Sequence, residues 1–599
     1  AMLPALHVIY RAVQEVAVPV TAGMVIIMLV FLPLLTLQGL EGKLFAPVAL
    51  TIVFALSASL LLSLTVIPVL ASFVLKAQVH HTPWLVARLE AGYQRLLDWS
   101  FVHTKWVYTG AALALVGALA LFPFIGKSFM PTMDEGDIIM QLEKLPSIQL
   151  NSSTAIDLDV QQRILAKVPD IQRIVARTGS DELGLDPMGL NETDTFLVLK
   201  PKEQQAKNKE QIIDQVRAVI ADVAGVNFSF TQPIEMRTSE MLSGVRGDLA
   251  VKVYGSDLAE LSQIAEQIAN ILQGIQGSED VMTLENSGVQ YLQVQIDRVA
   301  AGRVGLSSED IQAMLRTLVE GQTISSVLEQ GKPTPLVMRG AEALRLSTET
   351  FSQLQLPLAN GQSIALSSVA TLVADEGVVK IERENASRMS VIRANVKGRD
   401  LVGFVDEAKA KVQQQVKLPV GYRLAWGGQF ENQQRAAARL MTVIPAALAM
   451  IFFLLFATLG SVRQAALVFV NIPFALIGGV VALAITGQYL SVPASVGFIA
   501  LMGIAVLNGL VMIGYFNQLL ARGLDVATVV KQGAMRRLRP VMMTASIAAF
   551  GLVPLLFATG PGSEIQQPLA VVVIGGLVSC TLLTLVLLPN LFRRFGVER

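Results

Sequence analysis

Side chains able to ligate a metal or move a proton are unevenly spread along the 599 residues. All four histidines (His7, His80, His81 and His103) lie close to the N-terminal end, and Cys580 is the single cysteine. An internal disulfide and a thiolate metal site are therefore excluded. Any metal or acid–base chemistry further along must use carboxylates, amides or methionines. No GxxxxGKS/T phosphate loop occurs, so ATP is not the energy source within this chain. The polar stretch 127–433 has neither His nor Cys, and no metalloprotease or hydrolase motif appears, which argues against an enzyme.

The elements that would position any such chemistry are mostly apolar. Hydrophobic residues make up 52% and charged residues 16% of the chain, and the mean hydropathy is +0.54. The 47 basic and 47 acidic residues cancel, leaving no net field to attract nucleic acid. Apolar runs long enough to span a bilayer fall at about 17–38, 47–75, 106–126, 440–459, 465–486, 492–515, 541–559 and 568–591. Basic residues concentrate in 76–105 (Lys76, Arg88, Arg95, Lys105), in a loop at 516–540 (Arg522, Lys531, Arg536, Arg537, Arg539) and at the C-terminus (Arg593, Arg594, Arg599). The alternate loops carry only Lys43. The positive-inside rule puts the basic loops in the cytoplasm and 127–433 outside.

The region of the first two spans matches that of the last two at one constant offset: Pro19 with Pro540, Pro33 with Pro554, Gly39 with Gly560, Pro47 with Pro568 and Pro68 with Pro589. This reads as the tail of one repeat followed by a complete one. The first unit would then begin roughly 415 residues upstream if both are equal in length, so the chain is expected to be a fragment. In the outer region, GDIIMQLEKL (136–145), a helix to about Val168, IQRIVART, DTFLVLKP (194–201), a helix over 208–223 and VNFSFTQP follow a βαββαβ order. The pattern partly recurs: DLAVKVYG (248–255), a helix over 257–274, VMTLENS and VQYLQVQID, then RMSVIRANVK, a helix over 401–417 and GYRLAWGG. A Gly- and Pro-rich interruption at about 321–375 reads as a contact module.

The expected fold is an α-helical membrane protein with a large α+β periplasmic region: eight transmembrane helices, two ferredoxin-like subdomains and a docking insertion. Its segments are 1–78 (two helices ending the first repeat), 79–105 (cytoplasmic amphipathic connector), 106–126 (one helix), 127–246 (first ferredoxin-like subdomain), 247–433 (second, with the insertion) and 434–599 (five helices).

Four blocks, FMPTMDEGD (129–137), GGQFENQQRAAARL (427–440), GFIALMGIAVLNGLVMI (497–513) and TGPGSEIQQPLAVVVIGG (559–576), resemble the heavy-metal efflux branch of the resistance-nodulation-division transporters, cobalt-zinc-cadmium type. The resemblance runs end to end along this chain but covers only the C-terminal part of that family. It implies a homotrimeric proton/metal antiporter of the bacterial inner membrane, without a cofactor, working with a periplasmic adaptor (membrane fusion) protein and an outer-membrane channel amid membrane lipid. In copper/silver members three cleft methionines bind the ion. Aligned on that pattern, Gln141, Glu192 and Glu240 stand at the three positions, with Asp194 and Glu235 near enough in sequence to join. Oxygen ligands suit Zn²⁺, Co²⁺, Cd²⁺ or Ni²⁺, whereas Cu⁺ and Ag⁺ select sulfur. Met140, Met188, Met236 and Met241 nearby keep a Cu⁺ or Ag⁺ pump as an alternative.

Proton coupling needs a titratable group inside the membrane, and none of the eight spans has Asp, Glu, Lys or Arg in its interior. The resemblance implies relay acids on a span upstream of this chain. Asn508, preceded here by Leu507, would hydrogen-bond such an acid or simply join two helices. A multidrug pump remains a further alternative, disfavoured by the scarcity of aromatics such as Phe196, Phe228, Phe230 and Phe351 to line a drug pocket. So does a non-transporting membrane anchor that displays a periplasmic binding module.

Overall fold

The computed structural model describes residues 5–74, 83–131, 133–180, 188–243, 247–283, 287–345, 347–560 and 562–596. Among them eight helices are long and apolar enough to cross a membrane, three before and five after the mixed α/β region. The first part holds α1 (Ala5–Phe31), α2 (Gly39–Leu64) with its short continuation α3 (Val66–Val74), α4 (Trp84–Val102) and α5 (Thr104–Leu121). Two pairs matched by the internal repeat occupy matched places: Pro19 lies inside its helix as Pro540 does, and Gly39, which opens α2, and Gly560, just before the last helix, both take positive φ. Only glycine adopts that backbone without strain, which is why the register between the halves is kept there.

The first α/β unit comprises β1 (Ile138–Lys144), α6 (Leu150–Lys167), β2 (Ile171–Thr178), β3 (Glu192–Leu199), α7 (Lys209–Ile220) and β4 (Val226–Thr231), followed by α8 (Pro233–Ser243). Its antiparallel sheet has the order β2-β3-β1-β4, the ferredoxin-like arrangement. Ile138, Met140 and Leu142 of β1 pack against Val160 and Ile164 of α6 and Ile212 and Val216 of α7. Apolar spacings of four residues on each helix place those side chains on one face.

The second unit starts with β5 (Leu249–Tyr254), α9 (Leu258–Gln273) and β6 (Ser278–Thr283). The chain then leaves it for a long insertion: β7 (Ser287–Ile296), α10 (Arg298–Arg303), α11 (Ser308–Val319), β8 (Gln322–Glu329), β9 (Lys332–Met338), α12 (Thr348–Ser352), β10 (Gln355–Pro357), β11 (Ser363–Ala365) and β12 (Ala370–Val378). It returns through β13 (Glu382–Glu384), β14 (Ser387–Val396), α13 (Leu401–Gln415) and β15 (Arg423–Gly428). β15, β5 and β14 are neighbours in that order, and β6 pairs with β14. VQYLQVQID is therefore not a strand of this unit: β7 pairs with β12 in a separate two-stranded ribbon that carries the insertion. Alternation of polar and apolar residues marks a strand and its faces, but it does not name the sheet it joins. The insertion has its own small core around Ile311, Leu356 and Leu366. Its β8–β9 hairpin turns at Gln330 and Gly331, both with positive φ, and is exposed along its whole length.

The last five spanning helices are α14 (Gln429–Leu459), a bent pair α15 (Val462–Phe469) and α16 (Asn471–Thr486), α17 (Val492–Ala521), α18 (Val526–Leu556) and α19 (Ser563–Phe595). Helix α17 is the most buried, and α1 packs directly on it. Lys531, Arg536, Arg537 and Arg539 stand on the first turns of α18 rather than in a loop. Helices α16 and α19 cross where two glycines meet: a Cβ on Gly478 would lie 2.0 Å from the Gly575 carbonyl oxygen. The Ser579 hydroxyl accepts from the Gly478 amide at 3.0 Å and donates to the Ala475 carbonyl at 3.1 Å. Small residues permit the backbone approach that stands in for hydrophobic drive inside lipid. Gly478→Leu is expected to wedge the helices apart at a cost of about 1–3 kcal/mol, read as a lower thermal midpoint in detergent; an unchanged midpoint would contradict the close contact.

Candidate metal-binding cleft

The parity of β1 divides the first unit into two environments. Even-numbered residues point into the helix-covered core, so odd-numbered Ile139, Gln141 and Glu143 lie on the other face. Strand register sets Gln141 opposite Asp194 on β3 and Ser229 on β4, and sets Glu143 opposite Glu192. On β2, Arg177 lies opposite Asp194. Gln141, Glu192 and Asp194 thus share one sheet face, and all three are buried, Asp194 completely.

Buried carboxylates must be paired. Asp194 Oδ2 accepts from Arg177 Nη2 at 3.1 Å. Glu192 Oε2 accepts from the Gly189 amide at 2.9 Å, and its Oε1 lies 3.4 Å from Lys380 Nζ, beyond the insertion. Gln141 Oε1 accepts from Arg393 Nη1 of β14 at 3.2 Å. Arg177 from the first unit, with Lys380 and Arg393 from beyond it, therefore supplies the cationic partners of this face.

Glu235 and Glu240 both stand on α8 but in different settings. Glu240 is half-buried with Arg237 Nη1 3.4 Å away. Glu235 Oε1 accepts from Gln429 Nε2, the first residue of α14, at 3.2 Å. Burial first, then the Asp248 and Glu135 carboxylates, push its carboxyl up to about 7, against the Gln232 hydrogen bond and the Lys209 charge. Burial likewise raises Asp248, although that carboxylate accepts from the Val396 amide at 3.0 Å.

Gln141 and Glu235 line a common cavity of about 460 Å³ between the two units. Its wall carries seven carboxylates against four cationic side chains, including Glu564 at the start of α19. Glu192, Asp194 and Glu240 are not on that wall. Among the described residues no three His, Cys, Asp or Glu side chains come together as a ligand set, so the five residues expected to bind metal stand in two groups, one behind ion pairs and one facing the cavity. Met140 is fully buried in the helix-covered core. Met188 Sδ lies 3.3 Å from Arg177 Nη2, a guanidinium that competes with a cation. Met236 is buried, and the Met241 side chain is outside the described residues.

The DEGD block (134–137) pins β1 to its surroundings. Asp134 reaches Lys202 Nζ at 2.6 Å and Lys209 Nζ at 2.7 Å, and although burial opposes them these ammonium groups hold its carboxyl down to about 2. Glu135 Oε1 accepts from the Glu235 amide at 2.9 Å, so its charge sits at the positive end of α8. Asp137 Oδ1 accepts from the Leu199 amide at 3.0 Å. The cationic partners Arg177, Lys380 and Arg393, and the junction residues Asp248 and Gln429, were not among the expected site residues. The one available signal is Glu192-x-Asp194: two acids two apart on a buried strand share a face and demand cations.

In the membrane, Asn508 is buried in α17 beside Cys580 of α19, and its Nδ2 has no hydrogen-bond partner among the described residues. Leu507 packs on α1, where a Cβ on Gly23 would lie 2.0 Å from Leu507 Cδ1. The buried acid Glu41 stands near the outer end of α2, 3.6 Å from Arg435 Nε of α14.

Eight membrane-length helices and two ferredoxin-like units with an acidic cleft between them define a polytopic membrane protein with a large α/β region. The profile of the AcrB/AcrD/AcrF family matches residues 1–596. The chain belongs to that family, in its heavy-metal efflux branch. It is 41% identical over 596 residues to the cation efflux system protein CzcA of Alcaligenes sp. (strain CT14), and likewise 41% identical over 596 residues to the cobalt-zinc-cadmium resistance protein CzcA of Cupriavidus metallidurans. Each comparison takes in 98% of this chain and 56% of the relative. An X-ray crystal structure of a heavy metal efflux pump superposes with a TM-score of 0.85 at 36% identity, over 98% of this chain and 59% of that one. The chain therefore spans little more than half the length of these relatives. It is a multi-pass protein of the bacterial inner membrane with its α/β region in the periplasm.

Proposed function

We propose that this chain forms part of a proton-driven efflux pump for divalent heavy-metal cations, Zn²⁺, Co²⁺, Cd²⁺ or Ni²⁺. The observation that carries the reading is the buried sheet face where Gln141, Glu192 and Asp194 meet counter-ions from other strands, beside an acidic cavity that Gln141 shares with Glu235. Oxygen donors of this kind suit borderline and hard divalent ions and bind them weakly enough for release. In the resting arrangement Arg177 and Lys380 hold charges that an entering cation would replace. Loading then requires those side chains to swing away from Asp194 and Glu192, with Glu240 and Glu235 completing the set from α8. Similarity to a cation efflux system protein and a cobalt-zinc-cadmium resistance protein supports the substrate class.

The reading extends to a homotrimer working with a periplasmic adaptor and an outer-membrane channel. Support comes from the β8–β9 hairpin, where Ile324, Leu328, Leu336 and Met338 are exposed. An isolated two-stranded hairpin is marginally stable in water and gains from a partner surface. The proton relay would draw on acids outside this chain, with Asn508 as a hydrogen-bond donor to them.

Calorimetric titration of the detergent-solubilised chain with Zn²⁺, Co²⁺, Ni²⁺, Cd²⁺ and, anaerobically, Cu⁺ tests the site. Saturable divalent binding is expected, weakened at least about tenfold (about 1.4 kcal/mol) in Glu192→Gln/Glu240→Gln. Unchanged affinity in the double variant, or a preference for Cu⁺, would sink the carboxylate site.

A further inference from the structure

At the cytoplasmic side, the corner between α4 and α5 and the last turn of α19 enclose a cavity of about 630 Å³. Its walls carry Lys105, Arg593 and Arg594, with Phe101, Trp106 and Tyr108 between them, and no Asp or Glu among the described residues. Its floor is fixed: Tyr108 donates to the Asn590 carbonyl at 3.1 Å, and Asn590 Nδ2 donates to Ser100 Oγ at 3.0 Å. The Arg593 guanidinium lies over the Phe101 ring, 5.4 Å from its centre.

Neighbouring bases on this side are used differently. Lys531 pairs with Asp98 at 2.6 Å and Arg539 with Glu90 at 2.7 Å, which ties α18 to α4. Lys105, Arg593 and Arg594 have no ion-pair partner among the described residues. Three cations thus converge on one concave site without a counter-charge among the described residues. Guanidinium forks match phosphate oxygens, and tryptophan and tyrosine settle at head-group level.

The cavity also continues into an apolar track. Along α5, Trp106, Leu113 and Val116 recur at helical spacing and are exposed. A ligand that fits both features has an anionic phosphate head and acyl tails. We propose that this cavity binds the phosphodiester head group of an anionic phospholipid of the inner leaflet, with Lys105, Arg593 and Arg594 holding the phosphate and the tails lying along α5.

The test is native mass spectrometry of the full chain released from detergent after equilibration with palmitoyl-oleoyl phosphatidylglycerol or the corresponding phosphatidylcholine. One phosphatidylglycerol is expected to be retained about tenfold better than phosphatidylcholine. In Lys105→Gln/Arg593→Gln/Arg594→Gln the preference should disappear, whereas Arg593→Lys/Arg594→Lys should keep most of it. Arg88→Gln/Arg95→Gln/Arg522→Gln, which removes equal charge outside the cavity, should bind as the unaltered chain does. Should the triple glutamine variant fail to fold, Lys105→Gln alone is expected to lose the preference severalfold. Equal retention of the two lipids would overturn the proposal. So would an equal loss in the charge-matched control, or release of the lipid by millimolar inorganic phosphate, which would make the cavity a site for free phosphate.

Discussion

Lys144→Met is expected to destabilise the first ferredoxin-like unit by about 3–5 kcal/mol. Lys144 ends β1 with its side chain wholly buried, and its Nζ lies 2.6 Å from Asp157 Oδ1 of α6 and 2.7 Å from Thr193 Oγ1 of β3. Asp157 Oδ2 accepts from Thr178 and Thr193, each at 2.8 Å. Every oxygen of that carboxylate is thus satisfied only while the ammonium is present, and removing it strands a buried charge. Burial already holds the Lys144 ammonium below its ordinary range, with Asp157 opposing the shift. Hydrogen exchange of peptides covering β1 and β3 should accelerate accordingly. Lys144→Met/Asp157→Leu should recover most of the protection, because it removes both charges instead of one. Unaltered exchange in the single variant would contradict the account. These are also the strands that hold Gln141, Glu192 and Asp194 in register, so affinity at the proposed metal site should fall with the protection.

The second large effect concerns pH. Glu235 has its folded value raised to about 7 from 4.5, by burial and by the Asp248 and Glu135 charges. A raised carboxyl binds its proton more tightly when folded, so its favourable contribution is complete below the unfolded value. It is lost as pH rises through the folded value. The chain is therefore expected to be more stable at pH 5 than at pH 8 by up to about 3 kcal/mol from this group. Lys209, Gln232 and Gln429 are the groups that oppose its deprotonation penalty. Glu235→Gln should remove that part of the slope and stabilise the chain at pH 8, read by denaturant titration in detergent at both pH values. A wild-type slope of opposite sign, or an unchanged slope in the variant, would show that this carboxyl is ordinarily solvated. Because Gln429 begins α14, protonation at Glu235 bears directly on how a spanning helix is attached to the ferredoxin-like units.

Much of the fold was legible because its signals are local. Eight apolar runs gave eight membrane-length helices, since bilayer thickness sets a minimum length that few other demands produce. The first βαββαβ unit was readable from alternation in IIMQLEK and from four-residue spacing in its helices. VQYLQVQID was read into the wrong sheet because its pattern is equally satisfied by β12 or by β14. Site geometry was less accessible for the same reason. Glu192 and Asp194 could be placed on one face by their spacing, but Lys380 lies 188 residues from Glu192, and Arg393 lies 252 residues from Gln141. Such partners depend on how two units dock, which no local periodicity encodes. The split between Glu240 and the cavity, and the joining of Glu235 to Asp248, arise from that docking as well.

The ribbon of β7 and β12 brings the two ends of the insertion side by side, with Ser287 opposite Val378. A segment that leaves and re-enters at one place, and that keeps its own core, can be exchanged as a cassette. Its residues can change sequence, length or binding surface while β5, β6 and β14 keep their register. The insertion can therefore diverge in sequence and surface while the cleft between the two ferredoxin-like units stays as it is.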